Sequence, residues 1–378
     1  MRHRGDNIVQ YVERYADSDF WRLPFGVVDG LVLSSLCYAD LELTPFGKID
    51  NFNCTINELG QLVDAGDISR LMWNKVRGEQ LLSVAADSRR FGNILMHHYR
   101  HSLDEARQQQ FTVITYAVNT DIGRVDVVAF QGTDDTLTGW KEDFNMMFER
   151  HLPAQQLAVK YLEEVASLSD NKLVVTGHSK GGNLAVYAAM KCSRWTKKRI
   201  MHVYDYDGPG FLPGTFSALE KVGVAGKVIK VIPENAFFGL LLDDDPYRRL
   251  IVQSDGRSIF QHDPLTWLID EAGNLKLAKD ISLSSKLTIR TIRRWLINLS
   301  MEQRREFVEG LYRAIAKTRQ TTVPGLKHYL ATHFSEVVKN IRDGDQAVRQ
   351  VIVDTLKLFI RSSIAETASS IRQALRRR

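Results

Sequence analysis

The segment from Lys172 to Ala189 constrains the fold most, because an apolar run passes through a Gly-x-Ser-x-Gly turn into a row of small residues. Leu173–Val175 is typical of a buried strand, and Asn183–Ala189 is typical of a helix packed closely on a sheet. In such a strand–turn–helix, the central Ser179 lies at the tip of a sharp reversal with its hydroxyl exposed. The segment therefore predicts a nucleophile elbow in an α/β protein.

A hairpin upstream supplies further candidates for the same site. Residues 111–118 alternate at period two, residues 119–123 have turn composition, and residues 125–130 are typical of a second strand. That strand leads directly into Thr133. The amide and hydroxyl of Thr133, together with the amide of Lys180 at the predicted helix start, are therefore candidates to stabilise an oxyanion.

Charge is divided unevenly along the 378 residues. Residues 276–378 carry 21 Lys and Arg against 9 Asp and Glu, whereas residues 1–275 carry 29 against 36. The basic part repeats apolar residues at helical spacing, with Ser300 at a predicted helix start. Its predicted helices cover residues 289–299, 306–315 and 351–360. We predict an α/β catalytic domain over 1–275 and a basic helical accessory module over 276–378.

The basic module has two interpretations, a solvated helical cap or a surface for peripheral contact with an anionic membrane or acidic partner. No apolar run is long enough to cross a bilayer, and the charged N-terminus lacks a following apolar stretch. The three cysteines, Cys37, Cys54 and Cys192, favour reduced, buried thiols over a disulfide framework. We expect a cytoplasmic protein, with peripheral membrane contact as an alternative.

Several segments together resemble a known family. They are Val28–Leu33, Phe130–Asp134, Trp140–Phe144, Gly177–Ala185, Asp207–Phe211 and Gln261–Trp267. These segments look like the class 3, fungal-type lipase branch of the α/β hydrolases, and more closely like its mainly bacterial Mbeg-like relatives. The resemblance covers most of the chain and implies a mostly parallel central sheet flanked by helices, with serine hydrolase chemistry. One departure is Gln131, where such sequences usually carry Arg.

A serine nucleophile needs a base, and in α/β hydrolases the histidine follows the serine in the chain. Four histidines do so: His202, His262, His328 and His333. His202 falls within a predicted strand, and the last two lie in the basic module. His262 follows the last predicted strand of the sheet and is the predicted base. His178 adjoins Ser179 inside the elbow and is not chosen.

The acid that orients the histidine has two candidates at successive strand ends. Asp207 ends one strand and opens a rigid Gly-Pro-Gly turn, whereas Glu234 ends the next strand. The resemblance places the aspartate of class 3 lipases near Glu234 and Asn235, but an asparagine cannot stabilise an imidazolium by charge. Asp207 is therefore preferred, with Glu234 as the alternative. Asp205 and residues 243–245 are expected to be solvated carboxylates.

A metal or nucleotide cofactor is not indicated. His97, His98 and His101 precede Asp104 and could share one face of a helix, but no matching ligand set occurs elsewhere. We expect a polar surface helix there. Neither a Walker loop nor a Gly-x-Gly-x-x-Gly turn after a strand is present, and no nucleic-acid partner is expected.

The candidate residues together predict a serine ester hydrolase that acts on a small-molecule or lipid ester through an acyl-enzyme. Ser179 attacks the carbonyl, His262 transfers the proton, and Asp207 orients the imidazole, while Thr133 and Lys180 stabilise the oxyanion. Two alternatives stay open on the same fold, a noncatalytic binding scaffold and an acyltransferase. Residues 237–242 are expected to pack in the core, with a role in an acyl pocket as the alternative.

Overall fold

The computed structural model describes residues 5–46, 53–64, 75–134, 136–244 and 246–318, together with residues 320, 326, 329 and 333. Within them, eight strands form one sheet in the order β1 to β8. The strands are β1 (Asn53–Thr55), β2 (Leu95–Asp104), β3 (Gln109–Thr120), β4 (Gly123–Phe130), β5 (Lys172–His178), β6 (Ile200–Tyr206), β7 (Val228–Pro233) and β8 (Arg248–Val252).

Eleven α-helices are described around the sheet and after it. They are α1 (Ile8–Arg14), α2 (Val27–Leu36), α3 (Ile56–Asp64), α4 (Lys75–Asp87), α5 (Leu137–Asn145), α6 (Pro153–Leu168), α7 (Lys180–Lys191), α8 (Arg194–Arg199), α9 (Ala218–Lys221), α10 (Leu283–Asn298) and α11 (Met301–Ala316). Several short 3₁₀ helices follow the later strands, and the one at Ser258–His262 ends on the predicted base.

The sheet changes character at β4. Strands β1 to β4 pair antiparallel, and β3 and β4 form the hairpin predicted from residues 111–130, with Thr120 opposite Gly123 at its turn. Strands β4 to β8 pair parallel. Parallel neighbours need crossover connections, and α6, α7 with α8, and α9 lie between successive parallel strands. The carboxyl ends of β5 and β6 therefore meet at one edge of the sheet.

Alternate residues of the central strands enter two separate apolar layers. Val127 and Val174 pack in the layer that contains residues of α1, α2 and α4, whereas Val128 and Val175 pack in the layer that contains residues of α6 and α7. This alternation follows from the two-residue repeat of a strand. Burial on both faces explains why β5 is an uninterrupted apolar run in the sequence.

The described residues divide into two compact units. The first contains residues up to Gly132 and Arg150–Arg293, and it includes the whole sheet. The second contains Thr133–Glu149 and the described residues from Arg294 onward. The expected division into a catalytic domain over 1–275 and a basic module over 276–378 stays a prediction, because compact packing alone does not assign function.

Within the second unit, α5 packs against α11. The Lys141 ammonium lies 3.2 Å from a carboxylate oxygen of Glu309 and 4.3 Å from the centre of the Tyr312 ring. Ser300 caps α11, since its hydroxyl accepts the Gln303 N–H at 3.1 Å and its own N–H donates to the Gln303 side chain at 2.9 Å. The predicted helix start at Ser300 is confirmed.

The two predicted helices over 289–299 and 306–315 correspond to α10 and α11, whereas the one over 351–360 lies outside the described residues. A mixed sheet with helices on both faces and a strand–serine–helix turn at its centre is an α/β-hydrolase fold. The predicted fold class is confirmed. None of the helices in the described part of the chain has both the length and the hydropathy needed to span a bilayer.

The cysteines are buried and unpaired, as the sequence predicts. Burial raises the pKa of the Cys54 thiol to about 12, and burial likewise raises the pKa of Cys192 to about 12. Burial also raises the pKa of Cys37. All three are therefore protonated thiols at neutral pH and poor nucleophiles, which leaves the serine as the stronger candidate for covalent chemistry.

Candidate active site

The predicted elbow forms at the junction of β5 and α7. Ser179 has φ 59° and ψ −130°, a backbone conformation that non-glycine residues rarely adopt. Its N–H donates to the Tyr206 carbonyl at 2.9 Å, and its own carbonyl accepts the Gly182 N–H at 2.9 Å. The strained serine is therefore fixed by backbone hydrogen bonds on both sides, while its side chain stays partly exposed.

Two glycines of the motif allow the tight turn. A Cβ on Gly177 would lie 2.3 Å from the Gly181 backbone, and a Cβ on Gly181 would lie 2.0 Å from the Phe130 carbonyl oxygen. Both distances are far below van der Waals contact. The elbow therefore packs backbone against backbone with itself and with the end of β4, which explains why the spacing in the sequence is informative.

The predicted acid lies beside the elbow because of strand register. His178 of β5 pairs with Tyr206 of β6, so the next residues, Ser179 and Asp207, occupy neighbouring positions at the carboxyl edge. Asp207 is fully buried and has φ 54°. One of its carboxylate oxygens, Oδ1, accepts the Gly239 N–H at 3.1 Å. The other carboxylate oxygen faces the predicted base.

The predicted base contacts this acid directly. His262 Nδ1 lies 2.6 Å from Asp207 Oδ2, and residue His262 is 7% exposed. The backbone carbonyl of His262 accepts a hydrogen bond from Nε2 of His178 at 2.7 Å. The loop that carries His262 therefore returns to the residue that immediately precedes Ser179. The predicted nucleophile, base and acid, Ser179, His262 and Asp207, therefore all lie at the same edge of the sheet.

Burial sets the protonation of the pair. It lowers the pKa of the His262 imidazole to about 3, so the ring is neutral at neutral pH. Burial raises the pKa of the Asp207 carboxyl, while the Lys230 ammonium and the Gly239 N–H act in the opposite direction. With Nδ1–H donated to the carboxylate, Nε2 of His262 carries a lone pair and can accept a proton.

The remaining predicted site residues are Lys180, Thr133 and Glu234, whose contacts lie outside the pair formed by His262 and Asp207. Lys180 is the first residue of α7, and its ammonium is buried against the Gln110 carbonyl at 2.7 Å. Thr133 begins the second unit, and its hydroxyl donates to Asp143 Oδ2 at 2.5 Å, so the backbone amide is the donor that it retains. Glu234 is half-buried, and its backbone N–H donates to the Val252 carbonyl at 3.0 Å.

A buried ion cluster next to Asp207 was missed by the sequence analysis. Asp205 and Asp243, expected to be solvated, are 2% and 5% exposed, and the Lys230 ammonium lies 2.9 Å from Asp205 and 3.9 Å from Asp243. Lys230 also donates to the Gly208 carbonyl at 2.5 Å. A lysine in the middle of the apolar strand β7 was the available signal, because a buried cation requires nearby anions.

The histidine tract is a strand and not the expected surface helix. His97, His98 and His101 lie in β2, where alternating direction replaces the shared face of a helix. A β-bulge between His97 and Arg100 shifts the register there. Among the described residues, no group of three or more His, Cys, Asp or Glu side chains is arranged to hold a metal ion.

Comparison with known proteins gives one family match and several similar solved structures. Residues 85–313, more than half of the chain, match the family model described as Mbeg1-like. The chain is similar to the Rhizomucor miehei lipase in its native propeptide complex, with 12% identity, a TM-score of 0.35, and 60% of this chain and 67% of that chain covered. It is also similar to lipase II from Rhizopus niveus, with 15% identity, a TM-score of 0.32, and 67% and 88% covered. No curated protein sequence matches it.

Proposed function

Since this chain belongs to the Mbeg1-like family and has a lipase-like α/β-hydrolase fold, we propose that it is a serine ester hydrolase acting through an acyl-enzyme. The family predicted from the motif segments is confirmed. The observation that carries the proposal is the 2.6 Å contact between His262 Nδ1 and Asp207 Oδ2 beside the strained Ser179. A buried acid–imidazole pair next to an elbow serine is the arrangement that general-base activation requires.

In the proposed reaction, the Ser179 hydroxyl oxygen attacks the ester carbonyl carbon while Nε2 of His262 takes the hydroxyl proton. The tetrahedral intermediate collapses, the ester C–O bond breaks, and the imidazolium returns the proton to the leaving alkoxide. Water then attacks the acyl-enzyme by the same route and releases the carboxylic acid. The Asp207 carboxylate holds the imidazole in the required tautomer and stabilises its positive charge during both steps.

Two backbone amides are proposed to stabilise the oxyanion. Lys180 N–H lies in the first turn of α7, at the end of the helix that carries partial positive charge. The Thr133 amide is proposed as the second donor, because that residue follows β4 in the position that supplies this group in α/β hydrolases. The Thr133 hydroxyl is left out of this role, since it already donates to Asp143.

An ester with an apolar acyl group is the proposed substrate class, with a glycerolipid as one form of it. The Phe238 ring lies 4.3 Å, centroid to centroid, from the His262 imidazole, and Phe237 packs edge-on against Phe238 at 5.2 Å. Both rings are half-buried. This aromatic pair supports the acyl-pocket interpretation of residues 237–242 over core packing alone, because it adjoins the reacting base.

Contact with an anionic membrane through the basic residues 276–378 is the proposed partner interaction, and their excess of Lys and Arg supports it. Co-sedimentation of the full chain with phosphatidylserine-containing vesicles tests it. We expect binding that weakens as salt rises, and none to neutral phosphatidylcholine vesicles. Equal binding to both vesicle types would contradict an electrostatic interaction.

Hydrolysis of short p-nitrophenyl esters tests the activity itself. We expect turnover by the wild type and none above background for Ser179→Ala. The matched control is Ser167→Ala, at an exposed serine near the end of α6, which should keep wild-type activity. A folded wild type without turnover on any chain length would contradict the proposal, as would equal activity in Ser179→Ala.

A further inference from the structure

A chain of hydrogen bonds connects the elbow to the backbone of the base. The Tyr38 hydroxyl lies 2.9 Å from His178 Nδ1, and His178 Nε2 lies 2.7 Å from the His262 carbonyl oxygen. His178 is 6% exposed, and its ring centre lies 4.6 Å from that of His262. The residue directly before the nucleophile therefore contacts both the side chain and the main chain of the residue that serves as base.

Hydrogen-bond chemistry fixes the direction of this chain. A carbonyl oxygen only accepts, so His178 Nε2 must carry a hydrogen and donate it to His262. Burial, followed by the neighbouring His262, lowers the pKa of the His178 imidazole well below its usual value, so the ring is neutral with one N–H. Nδ1 of His178 is therefore an acceptor, and the Tyr38 hydroxyl donates to it. The same hydroxyl also lies 3.4 Å from the His178 carbonyl oxygen, so Tyr38 contacts both the ring and the main chain of His178.

The neutrality of His178 is also required by its position. The reaction proposed above gives His262 a positive charge when it takes the serine proton. A second imidazolium at a ring distance of 4.6 Å would oppose that charge, whereas a neutral ring does not. Tyr38 favours the neutral tautomer that donates toward His262, because its hydroxyl satisfies the remaining nitrogen.

Two side chains hold successive carbonyls of the base loop. Trp267 Nε1 donates to the Gln261 carbonyl at 2.7 Å, and His178 donates to the next carbonyl, that of His262. Trp267 is fully buried and lies a few residues after the base in the same loop. Its hydrogen bond shapes the loop locally. The hydrogen bond from His178 connects the loop to the strand that carries the nucleophile.

We propose that His178 is a positioning residue, which, oriented by Tyr38, fixes the main chain of His262 relative to Ser179. The inference rests on the proposed function and deepens it. Ser179 and His178 are consecutive, so one short backbone segment presents the nucleophile and anchors the base. The distance over which the proton moves is then set by that segment and not by the loop alone.

The test compares three full-length variants. His178→Phe keeps a ring but removes the donor, His178→Gln keeps an amide donor that can reach the carbonyl, and Tyr38→Phe removes one oxygen. For a p-nitrophenyl ester, we expect His178→Phe to lower kcat about 100-fold with KM within about twofold, since small displacements of a catalytic group have effects of this size. His178→Gln should recover about tenfold of that loss, and Tyr38→Phe should lower kcat about tenfold.

Hydrogen–deuterium exchange supplies a measurement independent of turnover. Segment 258–267 should exchange faster in His178→Phe than in the wild type or His178→Gln. A folded His178→Phe with wild-type kcat, or unchanged exchange in that segment, would overturn the proposal. So would unchanged kcat in Tyr38→Phe, which keeps the test decisive if His178→Phe fails to fold. Absence of esterase activity in the wild type would instead refute the proposed function. The exchange experiment would then still test whether His178 holds the main chain of His262.

Discussion

The ends of β5 and β6 have the same unusual backbone but are stabilised in different ways. Ser179 and Asp207 follow adjacent parallel strands, and both have positive φ, 59° and 54°. The serine turn depends on glycines that let backbones touch. The aspartate turn also needs a glycine, since a Cβ on Gly208 would lie 2.8 Å from the Ser179 carbonyl oxygen, but buried charge holds it in addition. The same backbone strain at two positions can therefore be stabilised by different interactions, and these interactions involve different residue types in the sequence.

At the turn after Asp207, charged side chains bind both the N–H and the carbonyl of Gly208. The Asp205 carboxylate accepts the Gly208 N–H at 2.8 Å, and the Lys230 ammonium donates to the Gly208 carbonyl at 2.5 Å. Lys230 also pairs with Asp205 at 2.9 Å. Gly208 directly follows Asp207, so this ion pair constrains the acid through its neighbour. A Gly-x-Ser-x-Gly motif predicts the first turn and a Gly-Pro-Gly motif predicts the second, but no short motif predicts the ion pair that holds the second turn.

The greatest loss of activity is expected from replacing the catalytic acid, and it distinguishes Asp207 from Glu234. Asp207→Asn should lower kcat for ester hydrolysis by about 10⁴-fold, because an amide favours the wrong imidazole tautomer and cannot stabilise the imidazolium. Glu234→Gln should stay within about twofold of wild type, since exposed or half-buried substitutions away from the chemistry have small effects. Steady-state kinetics on both variants makes the comparison. A large loss in Glu234→Gln with little in Asp207→Asn would move the acid to β7.

The buried ion pair between Lys230 and Asp205, next to the turn that carries Asp207, should stabilise the fold. Lys230→Met leaves Asp205 buried without its cation, whereas Asp243 keeps its ion pair with Arg249. We expect the free energy of unfolding to fall by about 3–5 kcal/mol. Lys172→Met, at an exposed lysine where β5 begins, should change it by less than about 0.5 kcal/mol. Urea titrations measure both. Equal stability of the two variants would mean that charge does not support this turn.

The serine turn should be sensitive to one added methyl group. A Cβ at position 181 would meet the Phe130 backbone, so Gly181→Ala should lower the free energy of unfolding by about 1–3 kcal/mol. Gly226→Ala is the control, because nothing lies within 4 Å of a Cβ there and its φ is not positive. Thermal unfolding of both proteins gives the difference. Similar melting temperatures would show that backbone contact does not constrain the elbow.

The smallest effect concerns pH. His262 must be neutral to act as base, and burial lowers its pKa to about 3, so the neutral form persists as pH falls below 6.5. Of the groups that face it, the Asp207 carboxylate favours the charged ring and the neutral His178 adds no charge, so the lowered pKa comes from burial. The acid limb of kcat/KM should therefore have its midpoint below pH 6.5, the ordinary histidine value. A midpoint at or above pH 6.5 would show that burial does not control the base.

Local patterns predicted the elements that local forces determine. The strand–glycine–serine–helix segment predicted the elbow, alternating residues predicted the β3–β4 hairpin, and Ser300 predicted a helix start. His262 and Asp207 followed from chain order and strand ends. Each of these inferences uses residues close in sequence or a rule about the order of elements.

Long-range polar pairing could not be predicted in the same way. The hydrogen bonds from Tyr38 to His178 and from His178 to His262 join residues 140 and 84 positions apart. Asp205 was misassigned to solvent because its partner Lys230 lies on the neighbouring strand. The histidine tract alternates as a strand, and its helical interpretation failed because pairing of β2 with β3 overrides a short polar pattern.

Covalent labelling tests directly whether Ser179 is the nucleophile and His262 its base. The wild type is incubated with a fluorophosphonate, and its intact mass and proteolytic peptides are compared with those of Ser179→Ala and His262→Ala. We expect a single adduct on Ser179 in the wild type, none in Ser179→Ala, and labelling slowed by several orders of magnitude in His262→Ala. A folded wild type without an adduct, or an adduct on another residue that persists in Ser179→Ala, would contradict this assignment of the nucleophile.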